Sequence, residues 1–277
     1  MVVFPNAKIN LGLYVTSKRE DGYHELVTVM IPVGWHDVLE IIPSSNNATT
    51  LSVSGRRVDC PPEKNLVMKA YRMLSDQLGG LPPVEMYLEK QIPDGAGLGG
   101  GSADAAFAIK ALDSIFNLGL PSETLMSVAA RIGADCSFFI NNRPALCTGI
   151  GEIVDNDINI NLSQYAILIV KPLGVSVSTR MAYDGISVAP CEYNLKDILS
   201  KEVAEWSDKL TNDFEKNIFR AFPTISAIKE KMIQSGALYA SMTGSGAAVY
   251  GIYQNDKLAL EAYDKFSDCE KIVTHIV

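Results

Sequence analysis

The N-terminal part of the chain follows the two-residue alternation of β-strands. Residues 8–15 alternate polar or small residues with apolar ones, which predicts a half-buried strand, and Lys8 is expected to face inward with the apolar positions. Segments 25–34 and 37–43 are also β-rich, and Leu51–Val53 adds a short strand. The first quarter of the protein is therefore predicted to be mostly antiparallel sheet.

Helical spacing begins at Asn65. Apolar residues recur at helical intervals from 66 to 78, and the stripe ends at two glycines. Residues 84–89 then alternate charged and apolar side chains, which predicts a one-sided strand that leads into a glycine-rich loop. The alanine-rich segment after this loop predicts a second helix, and Pro121 opens a third.

The C-terminal half mixes strands and helices. We predict, in order, a strand at 166–170, helical material at 194–235, strands at 238–242 and 247–253, a helix at 256–267 and a strand at 271–276. This order resembles a split β-α-β domain, and the polar segment 155–163 resembles a connector. The expected fold class is α+β, with domains at 1–155 and 156–277.

Composition and charge exclude several classes of protein. The chain has 277 residues, of which 47% are hydrophobic and 20% charged, as in soluble globular proteins. A net charge of -8 argues against a nucleic-acid surface, and no apolar run reaches the length of a membrane span. The five cysteines show no C-x-x-C pair, and the first residues do not resemble a signal peptide, so we expect a cytoplasmic protein with neither a membrane nor a nucleic-acid partner.

The glycine loop, residues 93–102, is the most informative feature of the sequence. It reads Pro-Asp-Gly-Ala-Gly-Leu-Gly-Gly-Gly-Ser and leads directly into a predicted helix. Glycines let backbone N–H groups approach phosphates, and the N-terminus of a helix attracts anions. The loop therefore predicts a nucleotide site, with a glycine-rich surface turn that binds nothing as the alternative.

Two better-known nucleotide motifs do not fit the glycine loop. Residues 95–100 satisfy G-x-G-x-x-G, but a dinucleotide fold needs a buried, almost entirely apolar parallel strand before the loop, whereas residues 84–89 alternate. A P-loop is excluded because no Gly-Lys-Ser/Thr follows.

Each of the other candidate residues allows both a structural and a functional interpretation. Thr243-Gly244-Ser245-Gly246 is either a hairpin connection or part of a site, and Asp135 is either a helix cap or a carboxylate that accepts the proton of an alcohol. Lys8, if buried, needs a carboxylate or phosphate partner. His24 is either a loop histidine or, with Tyr23, a contact to an aromatic ring of a substrate.

Three separated segments together resemble one superfamily. Pro5–Leu11, Gly95–Ser102 and Thr243–Gly246 resemble the three motifs of the GHMP kinases, which include galactokinase, homoserine kinase and mevalonate kinase. Within that superfamily, Asp21–His24 and Gly133–Asp135 resemble the 4-diphosphocytidyl-2-C-methyl-D-erythritol kinases of the non-mevalonate isoprenoid pathway. The resemblance implies a ribosomal protein S5 domain 2-like N-terminal domain and a ferredoxin-like C-terminal domain, with catalysis in the cleft between them.

The resemblance also implies a reaction and its residues. ATP, with Mg²⁺, would phosphorylate the 2-hydroxyl of the cytidine diphosphate derivative, with Asp135 as base and Lys8 as the stabilising cation. No residue is implied as a metal ligand, and no oligomeric state is indicated. The implied ATP-binding residues are Asn65, Lys90, Pro93, Asp94, Gly95, Ala96, Gly97, Leu98, Gly99, Gly100, Gly101, Ser102 and Ala103. The implied substrate-binding residues are Asn10, Tyr23, His24, Thr179, Tyr183, Gly244, Ser245 and Gly246.

Four positions depart from the family pattern without removing a residue that has a chemical role. Asp94 replaces an apolar or small residue, Ala103 a second serine, and Ser137 and Ala247 replace prolines. Two alternatives stay open: another GHMP kinase that acts on a small alcohol such as homoserine or mevalonate, and a nucleotide-binding protein without turnover. The Tyr23-His24 pair distinguishes the cytidine-substrate kinase from the first alternative, because only a substrate that contains cytosine requires the pair.

Overall fold

The structure is a computed structural model that describes residues 1–58, 60–207 and 209–277. The described strands are β1 (Val2–Val3), β2 (Asn6–Lys18), β3 (His24–His36), β4 (Val38–Pro43), β5 (Thr50–Gly55), β6 (Val84–Lys90), β7 (Ala145–Thr148), β8 (Ile153–Asp155), β9 (Ala166–Pro172), β10 (Tyr239–Met242), β11 (Val249–Tyr253) and β12 (Cys269–Thr274). The described α-helices are α1 (Leu66–Leu78), α2 (Gly100–Ile115), α3 (Ser122–Ile132), α4 (Cys136–Asn141), α5 (Thr179–Tyr183), α6 (Leu195–Leu199), α7 (Glu215–Ala221), α8 (Pro223–Gln234) and α9 (Asp256–Tyr263). Short 3₁₀ helices lie at Pro62–Lys64 and Val203–Glu205.

The chain forms two compact units that alternate along the sequence. The first unit comprises Met1–Ala7, Trp35–Asp94 and Gly99–Arg143, and the second comprises Lys8–Gly34, Gly95–Leu98 and Pro144–Val277. Both β2 and the glycine loop pass from one unit to the other. A division into domains 1–155 and 156–277 stays a prediction.

The first unit contains a sheet in the order β1-β4-β6-β5. Strand β4 pairs antiparallel with β6, but β5 pairs parallel with it. Parallel neighbours need a long crossover connection, and α1 lies in the connection between β5 and β6. The prediction of a mostly antiparallel first quarter is therefore confirmed for β4, and β5 is the parallel exception.

The predicted helices of the first unit are confirmed. Helix α1 buries Val67, Ala70 and Leu74. It ends at Leu78 and is capped by Gly79, whose φ of 76° is the left-handed conformation that glycine adopts readily. Helix α3 begins at Ser122, directly after Pro121 as predicted, and ends at Ile132. Helix α4 was not predicted, because six residues are too few to show a helical period.

The second unit contains two sheets, in the orders β2-β3-β7-β8 and β10-β11-β9-β12. In the latter sheet β9 lies between β11 and β12 and is antiparallel to both, and all seven of its residues are buried. The predicted succession of strand, helices, two strands, helix and strand is confirmed in this unit. Strands β7 and β8 were missed, since each has only a few residues.

Strand β2 corrects the prediction of a half-buried strand. Every residue from Asn6 to Val15 is buried, so both faces of the strand are covered. Lys8 and Asn10 are consequently 3% and 2% exposed. Their polar groups need partners inside the protein.

No helix in the described ranges combines the length and the apolar character that crossing a bilayer requires.

Leu168→Ala should lower the free energy of unfolding by roughly 2–5 kcal/mol, because it opens a cavity in the central strand β9. Leu260→Ala on α9 is the matched control, since Leu260 is 52% exposed and its truncation should cost less than about 0.5 kcal/mol. Urea unfolding followed by circular dichroism measures both changes. Equal losses in the two variants would contradict the assignment of β9 to the core.

Candidate functional site

Two polar side chains of β2 are fixed by hydrogen bonds inside the second unit. Lys8 Nζ donates to Asn10 Oδ1 at 2.6 Å, and Asn10 Nδ2 donates to Thr28 Oγ1 at 3.0 Å. The Thr28 hydroxyl donates in turn to the carbonyl of Gly12 at 2.5 Å. The backbone N–H of Lys8 donates to the carbonyl of Leu98 at 2.9 Å, so β2 is tied directly to the glycine loop.

Thr243 connects the glycine loop to β2. Its hydroxyl lies 3.2 Å from Asn10 Oδ1 and 3.2 Å from the carbonyl oxygen of Gly97, and it accepts the N–H of Asn10 at 3.1 Å. A Cβ at Gly97 would overlap the carbonyl oxygen of Thr243. A Cβ at Gly244 would lie 3.0 Å from Gly97 O and 3.4 Å from Lys8 Nζ. The three motifs singled out in the sequence therefore meet in the second unit.

Asn212 is a residue of this arrangement that the sequence did not single out. It is 4% exposed, and its Nδ2 donates to the carbonyls of Met242 and Gly244 at 2.8 and 2.9 Å. Its Oδ1 accepts the N–H of Phe214 at 3.0 Å. These bonds hold the turn that contains Thr243, and no local pattern around Asn212 predicts them.

The glycine loop also forms backbone hydrogen bonds with the two residues that precede β11. Gly95 O accepts the N–H of Ala247 at 3.1 Å, and Ala96 O accepts the N–H of Ala248 at 3.1 Å. A proline at 247, the usual residue in the family pattern, would have no N–H to donate. This departure therefore adds a hydrogen bond between two of the motifs.

The part of the glycine loop in the first unit presents a helix N-terminus. Gly99 is the N-cap of α2 with a φ of 71°, and the helix starts at Gly100. The first N–H groups of a helix lack partners within it, and with the helix dipole they form an anion site. Asp94 is exposed, while Ala103 is buried and its N–H already donates to Gly99 O. Ser102 lies in the first turn of α2, and its side chain hydrogen-bonds the Cys136 thiol.

Lys90 is buried in the first unit with two carboxylates. Its ammonium is ion-paired with Asp37 and, at 2.7 Å, with Asp104 Oδ2. Burial lowers the pKa of Lys90, but the two carboxylates outweigh burial and raise it. Burial and the nearby Asp37 carboxylate raise the pKa of Asp104 to about 7, against the opposing effect of Lys90. The predicted contact of Lys90 with ATP stays a prediction, as does that of Asn65, whose side chain caps α1 by accepting the N–H of Val67 at 2.9 Å.

Asp135 immediately precedes α4 and is partly buried. It stands at the N-cap position, yet its side chain makes no capping hydrogen bond, so the helix-cap reading does not account for it. The next residue, Cys136, is fully buried, and burial raises its pKa to about 12. Ser137, where the family pattern has proline, is buried and donates to the carbonyl of Met126 at 3.3 Å.

An aromatic pair lies in the second unit. The rings of His24 and Tyr183 stack with centroids 4.8 Å apart and planes at 18°. The Phe214 ring packs edge-on against the Tyr183 ring, with the two ring centroids 4.8 Å apart. Tyr23 is 60% exposed, and Thr179 at the start of α5 is also exposed.

Within each unit, the structure places several of the predicted residues in defined groups of contacts. Lys8, Asn10, Gly97 and Gly244 lie in one hydrogen-bonded group, and His24 and Tyr183 contact each other. The predicted residues of the first unit are placed by separate local interactions. Among the described residues, no three His, Cys, Asp or Glu side chains are grouped so that they could hold a metal ion.

Comparisons with known proteins give consistent matches over both halves of the chain. Residues 65–143 match the family model of the GHMP kinases N terminal domain, and residues 194–271 match that of the GHMP kinases C terminal. A 4-diphosphocytidyl-2-C-methyl-D-erythritol kinase of Bacteroides fragilis is 47% identical and covers 93% of each chain. A protein of the same name from Parabacteroides distasonis is 45% identical and covers 97% of each.

Solved structures agree with these matches. A crystal structure of 4-(cytidine 5'-diphospho)-2C-methyl-D-erythritol kinase superposes with a TM-score of 0.84 at 29% identity, covering 100% of this chain and 99% of the other. A homoserine kinase from Cytophaga hutchinsonii has a TM-score of 0.69 at 16% identity, with coverage of 98% and 94%, and shows a shared fold only. The predicted two-domain α+β architecture of these kinases is confirmed.

Gly97→Ala should destabilise the protein far more than Gly119→Ala. Both glycines have similar positive φ values, 71° and 63°, so both variants carry about 1–2 kcal/mol of backbone strain. Only at Gly97 would the added Cβ also meet a backbone carbonyl, whereas nothing lies within 4 Å of one at Gly119. Thermal unfolding should show the larger loss for Gly97→Ala, and similar losses would contradict the close approach of Gly97 to Thr243.

Proposed function

The chain belongs to the GHMP kinase family, and on that premise we propose that it transfers the γ-phosphoryl group of ATP to the 2-hydroxyl of 4-diphosphocytidyl-2-C-methyl-D-erythritol. Relatives with 45–47% identity over nearly their whole length bear the name of that kinase. The observation that carries the proposal is the convergence of Lys8, Asn10 and the two glycine motifs in one hydrogen-bonded group. A glycine-rich turn without a ligand would not require glycines packed against the backbone of a second motif.

We propose that the glycine loop holds the ATP phosphates through backbone N–H groups. The loop contains no lysine, so the first turn of α2, with Gly100, Gly101 and Ser102, supplies the partial positive charge. Phosphoryl transfer requires positioning and charge neutralisation more than covalent chemistry. A backbone site of this kind meets the first requirement.

Lys8 and Asp135 are the proposed catalytic residues. Asp135 takes the proton of the substrate hydroxyl as the new O–P bond forms, and the bond between the γ-phosphorus and the bridging oxygen breaks to release ADP. Lys8 stabilises negative charge on the transferring group. The family match over residues 65–143 supports the role of Asp135, and the hydrogen bond from Lys8 to Asn10 supports that of Lys8 by holding its ammonium beside the glycine motifs.

We propose that Mg²⁺ arrives with ATP. Kinases bind this ion through one or two protein oxygens together with substrate phosphates, and such a site needs no cage of carboxylates. The ion would neutralise charge on the phosphates.

The aromatic pair His24 and Tyr183 supports a substrate that contains a base. Homoserine and mevalonate have no ring for these side chains to contact. The two rings stack directly on each other, at 4.8 Å, so a cytosine would stack on an outer face or separate them. The substrate-binding roles of Tyr23, Thr179 and Ser245 are carried over from the family pattern only.

We also propose that the protein works in the cytoplasm. All five cysteines belong to the described part of the chain and are free thiols there, which fits a reducing compartment.

Purified protein with Mg-ATP should release ADP when 4-diphosphocytidyl-2-C-methyl-D-erythritol is added, and should release little with homoserine or mevalonate. A coupled ADP assay measures all three rates. Faster release with a small alcohol would favour another GHMP kinase activity. Tight ATP binding without ADP release on every substrate would favour a non-catalytic nucleotide-binding protein.

Asp135→Asn should lower kcat by about 10²-fold or more, the scale expected when a general base is lost, while leaving the Kd of ATP nearly unchanged. Asp76→Asn, at an exposed position of α1, is the matched control and should retain full activity. Steady-state kinetics and calorimetry measure the two quantities. Turnover near that of the wild type in Asp135→Asn would refute the proposed base.

Tyr183→Leu should raise the KM for the cytidine substrate by about tenfold, since stacking on a base contributes roughly 1–3 kcal/mol. The KM for ATP should stay the same. Tyr193→Leu removes an exposed tyrosine of the same unit and should change neither constant. An unchanged KM for the cytidine substrate in Tyr183→Leu would rule out base stacking at this ring.

A further inference from the structure

The two ends of the glycine loop are joined in the first unit through one ammonium group. Asp37 Oδ1 accepts the N–H groups of Gln91 and Ile92 at 2.5 and 2.8 Å, just before the loop. Its other oxygen is paired with Lys90, and Lys90 Nζ donates to Asp104 Oδ2 at 2.7 Å, on α2 just after the loop. Bonds therefore run from the residues that enter the loop to the helix that leaves it.

The packing around this ammonium leaves little room for a ligand. Lys90 is 6% exposed, Asp37 is 0% exposed and Asp104 is 2% exposed. A Cβ at Gly100, the first residue of α2, would lie 3.4 Å from Lys90 Nζ. The ammonium therefore lies against the start of the helix and already has two charged partners.

We propose that Lys90 is a positioning residue for the nucleotide site rather than a ligand of ATP. Held between Asp37 and Asp104, its ammonium fixes the first turn of α2 relative to residues 90–92, and so presents the N–H groups of that turn to a nucleoside triphosphate. This inference rests on the proposed function only for the binding of ATP. The identity of the phosphate acceptor does not enter it.

Asp104 makes this arrangement sensitive to pH. Two carboxylates face one ammonium, and Asp104 Oδ1 is buried without a hydrogen-bond partner among the described residues. The charged groups that act on Asp104 are Lys90 of β6 and Asp37 before β4. From α4, the Cys136 thiol near Ser102 has a pKa of about 12 and stays neutral at physiological pH. Asp104 should therefore ionise as the pH rises through about 7, and the charge that it gains repels bound phosphates.

Two substitutions of Asp104 separate positioning from charge. Asp104→Asn keeps an oxygen that can accept from Lys90, whereas Asp104→Ala removes the link, and both leave Lys90 paired with Asp37 so that the variants can fold. Asp104→Ala should bind Mg-ATP about tenfold more weakly than Asp104→Asn. Asp104→Asn should match the wild type near pH 6 and bind about threefold more tightly near pH 8, where the wild-type carboxylate is ionised.

Calorimetric titration with Mg-ATP, without a phosphate acceptor, measures the Kd of each protein from pH 6 to pH 8. Glu89→Ala is the control, because Glu89 is an exposed acid next to Lys90 on β6 and its loss should not change the profile. Equal Kd values for Asp104→Ala and Asp104→Asn would overturn the proposal. It would also be overturned if the ratio of the Kd of Asp104→Asn to that of the wild type were the same at every pH. If the wild type binds no Mg-ATP, both this proposal and the proposed function are overturned. If the wild type binds Mg-ATP but does not phosphorylate the cytidine substrate, only the proposed function fails, because the titration contains no acceptor.

Discussion

The close approach of Gly97 to Thr243 is the constraint on which the second unit's part of the site depends. The two backbones lie so near each other that a Cβ cannot fit between them. The hydroxyl of Thr243 lies within hydrogen-bond distance of both Gly97 O and Asn10 Oδ1. Asn10 Oδ1 also accepts a hydrogen bond from the ammonium of Lys8. One backbone contact therefore determines where the lysine points, although the residues involved are far apart in the sequence.

The two lysines that the family pattern places near ATP lie in different units. Lys90 is surrounded by two carboxylates, so its positive charge is neutralised locally and its effect on a phosphate comes through the geometry of α2. In the second unit, Lys8 donates a hydrogen bond to the side-chain oxygen of Asn10. In the proposed mechanism, N–H groups and the dipole of α2 hold the nucleotide, and Lys8 stabilises negative charge on the transferring phosphoryl group.

The sequence predicted those features that are encoded locally. Alternation and helical spacing located most strands and helices, and the density of glycines located the loop. The half-buried pattern assigned to residues 8–15 was wrong because burial of β2 depends on both of its faces being covered, which no local pattern records. Asp37, Asp104 and Asn212 were missed for a related reason. The partners of these residues are distant in the chain; Asp37 and Lys90, for example, are 53 residues apart. The residues next to them in the sequence form no distinguishing motif.

The identity of the phosphorylated atom tests the central claim most directly. Phosphorus NMR of the product formed from Mg-ATP and 4-diphosphocytidyl-2-C-methyl-D-erythritol should show a new phosphomonoester, coupled to the carbon that bears the 2-hydroxyl, while the diphosphate signals of the cytidine group remain. A spectrum in which ATP and the cytidine compound both stay unchanged, with a protein that binds ATP and retains its fold, would contradict the account.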